Sequence, residues 1–355
     1  MPTAAESLLG HKIPDEWNVI KQVTTPVYPN GNTRSGSFFS VGYEVNHNDT
    51  GRSAFLKALD YSYALSSPDT PTVMAAMTSA FNFERDLLYQ CKDRRMKNVI
   101  HPISHGSYFH PNFRGSDSKV DYIIFEKADR DVREWVNIND SLDLAVRLRC
   151  LHQIAKGIHQ LHTYKIAHQD IKPSNALVFD LSEDKIGDLG HCSIESQICP
   201  RDHLEFSGDN NYSPPELLYG YIHPQWAIRR LGCDTYQFGC LVVFLMTFAD
   251  MNALLKSKLP LNSRWGGSQT VMYEFILPVV RHAWLLTLEE IERQVHQLAP
   301  HLGAEIMTII RELTDPSPDN RGDPIKRRIY GNPHDLERYI SRLDLLAQKA
   351  GKGRA

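Results

Sequence analysis

The chain has 355 residues, of which 42% are hydrophobic and 23% are charged, and its formal net charge is −3. This composition is typical of a folded globular protein and excludes a disordered or low-complexity chain. The weak negative charge gives no electrostatic reason to expect nucleic acid or an anionic membrane as a partner. The length allows two packed lobes or domains.

The six cysteines are scattered without Cys-x-x-Cys spacing, so we predict neither a disulfide framework nor a zinc site. The first ten residues lack the basic start and long apolar core of a signal peptide. The longest apolar run, at 240–249, is about half the length that crosses a bilayer. We therefore expect a cytoplasmic protein without a membrane partner.

The chain begins with a pattern typical of an antiparallel sheet. From Trp17 onward, β-branched and aromatic residues alternate with polar ones and are interrupted by Gly and Asn. Gly36 and Ser37 stand between two predicted strands, shortly before Val41. Glycine lets backbone N–H groups approach a phosphate closely, but a plain hairpin turn explains this stretch equally well.

A lysine within an apolar strand is the next unusual feature. Lys57 stands in the strand predicted at 54–59, where an isolated buried ammonium group would be costly without a partner. A helix is predicted from Asp69 to about Cys91, and it carries two acids, Glu84 and Asp86. The family resemblance given below implies that Glu84 is the partner of Lys57. Asp86 would face elsewhere on that helix, and a solvated Glu84 is the alternative.

A long amphipathic helix predicted at 141–164 leads into a short polar loop. That loop carries Asp170, Lys172 and Asn175, and Asp188 follows after a short hairpin that contains Leu177. Two acids and an amide in this arrangement suit phosphoryl transfer. One acid can face the attacking hydroxyl group, while the other oxygens are hard ligands for Mg²⁺.

The stretches 166–178 and 185–190 together resemble the catalytic loop and metal-binding turn of eukaryotic-like protein kinases of the serine/threonine type. The resemblance implies an α+β, bilobal fold with a small antiparallel N-lobe sheet, one regulatory helix and a larger, mostly helical C-lobe. It divides the chain into an N-terminal extension (1–18), an N-lobe (19–128), a C-lobe (129–346) and a basic tail (347–355).

The family's roles transfer to matching positions of this sequence. Asp170 would accept the proton of the substrate hydroxyl group, Lys172 would lie near the transferred phosphoryl group, and Lys57, held by Glu84, would contact the nucleotide phosphates. Asn175 and Asp188 would hold Mg²⁺. The remaining ATP contacts would come from Gly36, Ser37, Val41, Leu177 and the backbone of Glu126 and Ala128, which follow the bulky Phe125. Asp131 would contact the ribose or cap a helix, with equal merit.

Three further residues support this resemblance in the C-terminal half. Glu216 is expected to form a buried ion pair with Arg321, and Asp234, at the predicted start of an apolar helix, is expected to hold the catalytic loop from below. Small-molecule phosphotransferases share the Asp/Asn/Asp core but lack this set. His168 is expected to have a structural role and not to act as a base.

Five positions depart from the family pattern. Gln169 replaces an arginine that receives an activating phosphate, which suggests that loop phosphorylation is not the on-switch here. Asp209 replaces a threonine, Phe55 replaces a small residue, and the outer two glycines of the loop around Gly36 are missing.

Three functions remain open. The favoured one is an ATP- and Mg²⁺-dependent protein kinase acting on Ser or Thr of a protein substrate. All the residues of the family's ionic set are present, namely Lys57, Glu84, Asp170, Lys172, Asn175 and Asp188. A pseudokinase that binds nucleotide or acts as a scaffold is the second, and a small-molecule kinase is the third. The sequence does not indicate an oligomeric state.

Overall fold

The computed structural model describes residues 2–23, 39–138, 142–181, 183–204, 208–266 and 272–352. The chain divides into two compact units. The first comprises Met1–Arg95 and Ile100–Asp129, and the second comprises Met96–Val99 and Arg130–Ala355. The predicted glycine-loop residues Gly36 and Ser37 lie outside the described residues.

The first unit is built on a six-stranded antiparallel sheet, as predicted. Its strands run in the order β1-β2-β3-β4-β6-β5. They are β1 (Lys12–Ile13), β2 (Trp17–Val23), β3 (Ser40–His47), β4 (Ser53–Leu59), β5 (Pro102–Phe109) and β6 (Lys119–Glu126). Successive side chains of a strand point to opposite faces, so Ala54, Leu56 and Ala58 enter the core while Phe55 and Lys57 share the other face. Segments before Trp17 also contribute to this core, through Ala5, Leu8 and Ile13.

Two helices follow β4, namely α1 (Ser62–Leu65) and α2 (Thr70–Asp93). The carboxylate of Asp69 accepts a hydrogen bond from the N–H of Thr72, and Pro71 occupies the first turn. Both features favour a helix start, because the first N–H groups of a helix have no backbone partners. The predicted helix is therefore confirmed, and its apolar face buries Phe81, Leu87 and Leu88.

The second unit is mostly helical, which confirms the α+β expectation. Its helices are α3 (Val132–Ile138), α4 (Leu144–Thr163), α5 (Pro215–Leu218), α6 (Trp226–Thr247), α7 (Met251–Lys258), α8 (Tyr273–Leu298), α9 (Gly303–Leu313), α10 (Pro324–Tyr330) and α11 (Glu337–Lys352). Short strands β7 (Arg130–Asp131), β9 (Ala176–Val178) and β10 (Lys185–Ile186) form one small sheet, and β8 (Ile166–Ala167) pairs with β11 (Ser193–Ile194).

Two helix starts differ from the sequence prediction. Helix α4 begins at Leu144 and not at 141, because the carboxylate of Asp143 accepts hydrogen bonds from the N–H groups of Ala145 and Val146. Helix α6 begins at Trp226, eight residues before Asp234. The charged residues at 229 and 230 obscured its apolar pattern, so the expected start fell in the middle of the real helix.

Helix α6 is deeply buried, with Leu231, Phe238, Leu241 and Val243 each at most 3% exposed. In the described part of the chain, no single helix is long and apolar enough to cross a membrane. Only α6 and α7 taken together, with a bend of 93° between them, meet those criteria of length and composition.

The predicted ion pair between Glu216 and Arg321 is present and buried. Both guanidinium NH groups donate to the carboxylate at 2.7 Å, and the two side chains are 3% and 0% exposed. The same guanidinium also donates to the carbonyl oxygens of Gly232 and Asp315. The pair therefore connects α5, α6 and the turn after α9 through one planar group.

Replacing Glu216 with Gln should cost about 3–5 kcal/mol of unfolding free energy, because it leaves the buried guanidinium charge without its partner. The matched control is Glu305→Gln, which removes a pair with Lys349 whose side chains are 43% and 37% exposed. That change should cost less than about 1 kcal/mol. Urea unfolding of the three proteins makes the comparison, and equal losses in both variants would contradict the assignment.

Candidate active site

Lys57 and Glu84 form the predicted ion pair within the first unit. The ammonium group of Lys57 on β4 lies 2.8 Å and 3.0 Å from the two carboxylate oxygens of Glu84 on α2. Their side chains are 15% and 7% exposed, so the pair is largely shielded from water. The competitor Asp86 is 59% exposed and pairs with its neighbour Arg85 instead. The pairing fixes the position of a cation on one face of the sheet.

Phe55 shares that face of the sheet with Lys57. A Cβ atom built on Gly42, which lies opposite Lys57 on β3, would be only 2.8 Å from the Phe55 ring. Phe125 lies opposite Phe55 on β6, with the ring centroids 6.5 Å apart. The aromatic ring therefore covers the backbone of Gly42, and a side chain at that position would require the Phe55 ring to shift.

The predicted nucleotide contacts of the first unit lie along β3 and after β6. Val41 is half-buried and pairs with Ala58. Glu126 ends β6, and its carboxylate accepts a hydrogen bond from the N–H of His101 at 2.9 Å. Ala128 is half-buried in the segment that follows. Their roles as nucleotide contacts stay predictions.

In the second unit, Asp234 of α6 holds the catalytic loop as expected. Its buried carboxylate accepts hydrogen bonds from the backbone N–H groups of His168 and Gln169, both at 2.7 Å. The same carboxylate lies 2.8 Å from the Nε2 atom of His162 on α4. One side chain therefore fixes the two residues that precede Asp170.

Two further residues of α6 contact the loop, and sequence reasoning missed both. Gln237 accepts a hydrogen bond from the N–H of Ile171 at 2.9 Å and donates to the carbonyl oxygen of Gln169 at 3.1 Å. Arg230 donates to the side-chain oxygen of Gln169 at 3.2 Å. Positions 230, 234 and 237 share one helical face, so three polar residues at this spacing in an apolar helix are the signal that could have found them.

Asp170 lies at the centre of a dense hydrogen-bond network. Its Oδ2 atom is 2.9 Å from the ammonium group of Lys172 and accepts a hydrogen bond of 2.9 Å from the amide of Asn175. Its Oδ1 atom accepts the backbone N–H of Asp209 at 3.0 Å. The carboxylate therefore has a fixed orientation in a buried environment, and the structure brings three predicted catalytic-loop residues together.

Asp209 supplies a backbone contact where a threonine was expected by resemblance. Its carboxylate lies 3.9 Å from the ammonium group of Lys172 and also accepts the N–H of Asn211 at 2.9 Å. Lys172 is closer to Asp170, so Asp209 is a secondary partner of this cation. Its backbone N–H, which any non-proline residue provides, makes the contact to the carboxylate of Asp170.

Asn175 and Asp188 belong to two turns that are hydrogen-bonded to each other. The N–H of Gly187 donates to the carbonyl oxygen of Asn175 at 2.8 Å, and the half-buried Asp188 follows with φ = 60°. The side-chain amide nitrogen of Asn175 donates to Asp170, so the side-chain oxygen Oδ1 of Asn175 is the atom that can bind a metal ion. An amide oxygen and a carboxylate are hard ligands that suit Mg²⁺. The donor set therefore fits the predicted ion.

Leu177 and His168 support these turns. Leu177 on β9 packs against Gly187 so closely that a Cβ atom there would be 2.8 Å from its side chain. The buried His168 contacts the carbonyl oxygen of Gly187 through Nε2 at 2.9 Å. A structural role for His168 agrees with these contacts.

Asp131 lies directly before helix α3, and its carboxylate accepts the N–H of Glu134 at 2.8 Å. This contact is the helix cap that was one of the two roles expected for Asp131.

His191 lies close to the charged groups of the loop. Burial is the main cause that lowers its pKa to about 4, and the positive charge of Arg201 acts in the same direction. The imidazole is therefore neutral at pH 7 and adds no second cation beside Lys172.

One other cluster of the described residues has metal-binding side chains. His159, Asp335 and Glu337 place one ligand atom each within 4.8 Å of the others. However, the ammonium group of Lys326 lies 2.8 Å from each of the two carboxylates. The cluster already contains its own counter-charge, and an ion-pair network explains it.

Residues 35–272 match the family model of the protein kinase domain, which covers more than half of the chain. The chain belongs to the protein kinase family. Its α+β architecture is the bilobal protein kinase fold.

Curated relatives agree with this assignment. The chain is 31% identical over 215 residues to a probable cyclin-dependent serine/threonine-protein kinase of Dictyostelium discoideum, over 55% of this chain and 14% of the relative. It is 30% identical to the serine/threonine-protein kinase SSN3 of Mycosarcoma maydis, over 46% of this chain and 23% of the relative. It is 29% identical over 141 residues to a dual serine/threonine and tyrosine protein kinase of Mus musculus, over 40% of this chain and 14% of the relative. The matched region spans less than a quarter of the length of these three relatives.

Gly208 tests how tightly the chain around Asp209 packs on the loop that carries Gln169 and Asp170. It has φ = +89°, and a Cβ atom there would collide with the carbonyl oxygen of Gln169 and lie 2.8 Å from Oδ1 of Asp170. Gly220 is the matched control, with φ = +76° and no atom within 4 Å of its Cβ position. Gly220→Ala should cost about 1 kcal/mol from backbone strain alone. Gly208→Ala should cost about 1–3 kcal/mol more from overpacking.

The measurement is denaturant unfolding combined with amide exchange at Asp209. We expect Gly208→Ala to accelerate that exchange, because the bond from this amide to Asp170 must lengthen. Equal stability of the two variants with unchanged exchange would contradict the packing described for the loop.

Proposed function

We propose that this protein is an active protein kinase that transfers the γ-phosphoryl group of ATP to a Ser or Thr hydroxyl group of a protein substrate. The observation that carries the proposal is the geometry around Asp170, whose carboxylate is oriented by three donors from Lys172, Asn175 and Asp209. The ion pair between Lys57 and Glu84 supports it from the first unit.

The reaction forms a bond between the substrate hydroxyl oxygen and the γ-phosphorus and breaks the bond from that phosphorus to the leaving oxygen of ADP. Asp170 orients the hydroxyl group and receives its proton. Lys172 and Lys57 stabilise negative charge on the phosphoryl oxygens. Asn175 and Asp188 would hold Mg²⁺, which neutralises phosphate charge when it is bound. The protein contributes positioning and electrostatic stabilisation and forms no covalent bond with the phosphoryl group.

Serine/threonine specificity rests on two supports. Lys172 stands two residues after the catalytic aspartate, the position that resembles the serine/threonine type. Two of the three relatives described above are serine/threonine kinases by name, while the third is a dual-specificity kinase. The structural supports around Glu216 and Asp234 favour a protein substrate over a small metabolite.

Asp170→Asn should lower the rate of phosphoryl transfer by about 100- to 10,000-fold, because the amide cannot receive the substrate proton. Asp188→Asn should have a similar effect through the loss of a metal ligand. Glu183→Gln is the control, because Glu183 is 42% exposed and pairs only with Lys156 at 3.1 Å among the contacts described. The assay uses labelled ATP, Mg²⁺ and a generic basic protein. Equal label transfer by the wild type and Asp170→Asn would refute the catalytic role.

A pseudokinase is the second candidate, and a specific observation favours it. The ring of Phe55 covers Gly42 on the face of the sheet that carries Lys57, at a position where the family usually has a small residue. A ring there narrows the space expected for the adenine base. In this case the protein would act as a scaffold, and its ionic set would have no nucleotide to bind.

Calorimetric titration with Mg²⁺ and ATP separates the two candidates. If Phe55 restricts the base, Phe55→Ala should tighten ATP binding about fivefold, which corresponds to about 1 kcal/mol. Phe109→Ala is the control, because that ring lies on β5 of the same sheet and is 66% exposed. An active kinase requires that the wild type binds ATP. Absence of binding at millimolar ATP to the wild type, with binding restored in Phe55→Ala, would favour the scaffold.

A further inference from the structure

The stretch that follows Asp188, called the segment below, is described at residues 189–204 and 208–216. An ion pair joins this segment to helix α6. The guanidinium group of Arg230 lies 3.3 Å from a carboxylate oxygen of Asp202, and its other NH group donates to the side chain of Gln169 at 3.2 Å. Arg230 is 4% exposed. One buried cation therefore contacts both the segment and the residue that precedes the catalytic Asp170.

The carboxylate of Asp202 is surrounded by donors. Its Oδ1 atom accepts the hydroxyl group of Ser193 at 2.7 Å, and its Oδ2 atom accepts the N–H of Cys199 at 2.8 Å. The indole N–H of Trp226, at the start of α6, donates to the hydroxyl oxygen of Ser193 at 3.2 Å. A guanidinium group, a hydroxyl group and a backbone N–H are the donors that bind an anion well. Here a side chain of the protein itself occupies that position.

The network continues into the catalytic loop through Gln169. Its side-chain amide donates to the carbonyl oxygen of Arg230 at 2.7 Å and to the carboxylate of Asp234 at 3.1 Å. Gln169 has φ = 68° and is 1% exposed, so its conformation is held by these contacts. A change at Arg230 would therefore reach Asp170 through one residue.

The hydroxyl groups in the described part of the segment are mostly engaged. Ser193 and Ser213 are buried, and Ser213 donates to the carbonyl oxygen of Asp209 at 3.2 Å. Tyr212 donates to Asp250 at 2.9 Å. Ser196 is exposed.

We propose that Asp202 and Arg230 are positioning residues, and that the Asp202 carboxylate is a permanent anion that docks the segment and fixes Gln169 beside the catalytic Asp170. Segments of this kind are ordered in other switches by an added phosphate that pairs with arginine. In this chain the aspartate supplies the negative charge, so the loop is held without phosphorylation. The inference rests on the proposed kinase function.

Asp202→Asn is the first test, because Asp202 is partly exposed and the change keeps the size of the side chain. We expect kcat to fall about 10- to 100-fold. The KM for ATP should stay within about twofold, since none of the proposed nucleotide contacts is altered. Asp202→Glu should restore most of the turnover because it restores the charge. The double variant with Arg230→Gln should lose little more than either single variant, since both remove the same interaction.

The matched control is Glu312→Gln, which breaks a pair with Arg338 at 2.6 Å whose side chains are 17% and 22% exposed. It should lower stability without changing kcat. A kcat within about twofold of the wild type in a folded Asp202→Asn variant would overturn the inference. Loss of wild-type activity after phosphatase treatment would also overturn it.

Amide exchange separates this inference from the proposed function. If the wild type transfers no phosphoryl group, the proposed function fails, and exchange in the loop at 166–175 still reports on the docking. Asp202→Asn should accelerate that exchange more than Glu312→Gln does. Equal exchange in the two variants would overturn the inference whether or not the wild type is active.

Discussion

The conformation of the loop that carries Asp170 depends on one buried carboxylate. Asp234 is 0% exposed. Its Oδ1 atom accepts hydrogen bonds from the backbone N–H and the side-chain amide of Gln169. Its Oδ2 atom accepts the backbone N–H of His168 and lies 2.8 Å from Nε2 of His162. A buried carboxylate without such donors would be very costly, so the loop must adopt the conformation that supplies them. This requirement also explains why Gln169 tolerates a positive φ. The strain of that residue is offset by the bonds that it makes on both sides.

The proposed chemistry depends on this support. Gln237 of helix α6 accepts the backbone N–H of Ile171, and the backbone N–H of Asp209 donates to the carboxylate of Asp170. These bonds hold that carboxylate in one orientation. Lys172 and Asn175 follow within one short turn, which brings an ammonium group and a side-chain amide to the same carboxylate. Preorganisation of this kind is the main contribution that a protein makes to phosphoryl transfer. In the first unit the pairing of Lys57 with Glu84 likewise holds a lysine cation in one place.

Sequence patterns predicted the antiparallel sheet and the start of α2, and the cost of an isolated buried ammonium group predicted that Lys57 needs a partner. The resemblance to protein kinases supplied that partner, Glu84, and the pairing of Glu216 with Arg321. The roles of Arg230 and Gln237 were not predicted, since their function depends on which face of α6 meets the loop. The start of α6 was wrong for the same reason, as charged residues that serve the loop interrupt its apolar pattern. Asp202 could not be assigned from sequence, because an acid in an irregular segment gives no periodic signal. Contacts between distant segments of irregular backbone appear only once the fold is known.

The most direct test of this account is the single-turnover rate of phosphoryl transfer by Asp234→Asn, at saturating Mg²⁺ and ATP and at a temperature where circular dichroism shows a folded variant. The amide presents hydrogen atoms where the loop N–H groups need an acceptor, so the loop must move. The account predicts a rate at least about 100-fold below that of the wild type. A folded variant whose rate lies within about twofold of the wild type would contradict it.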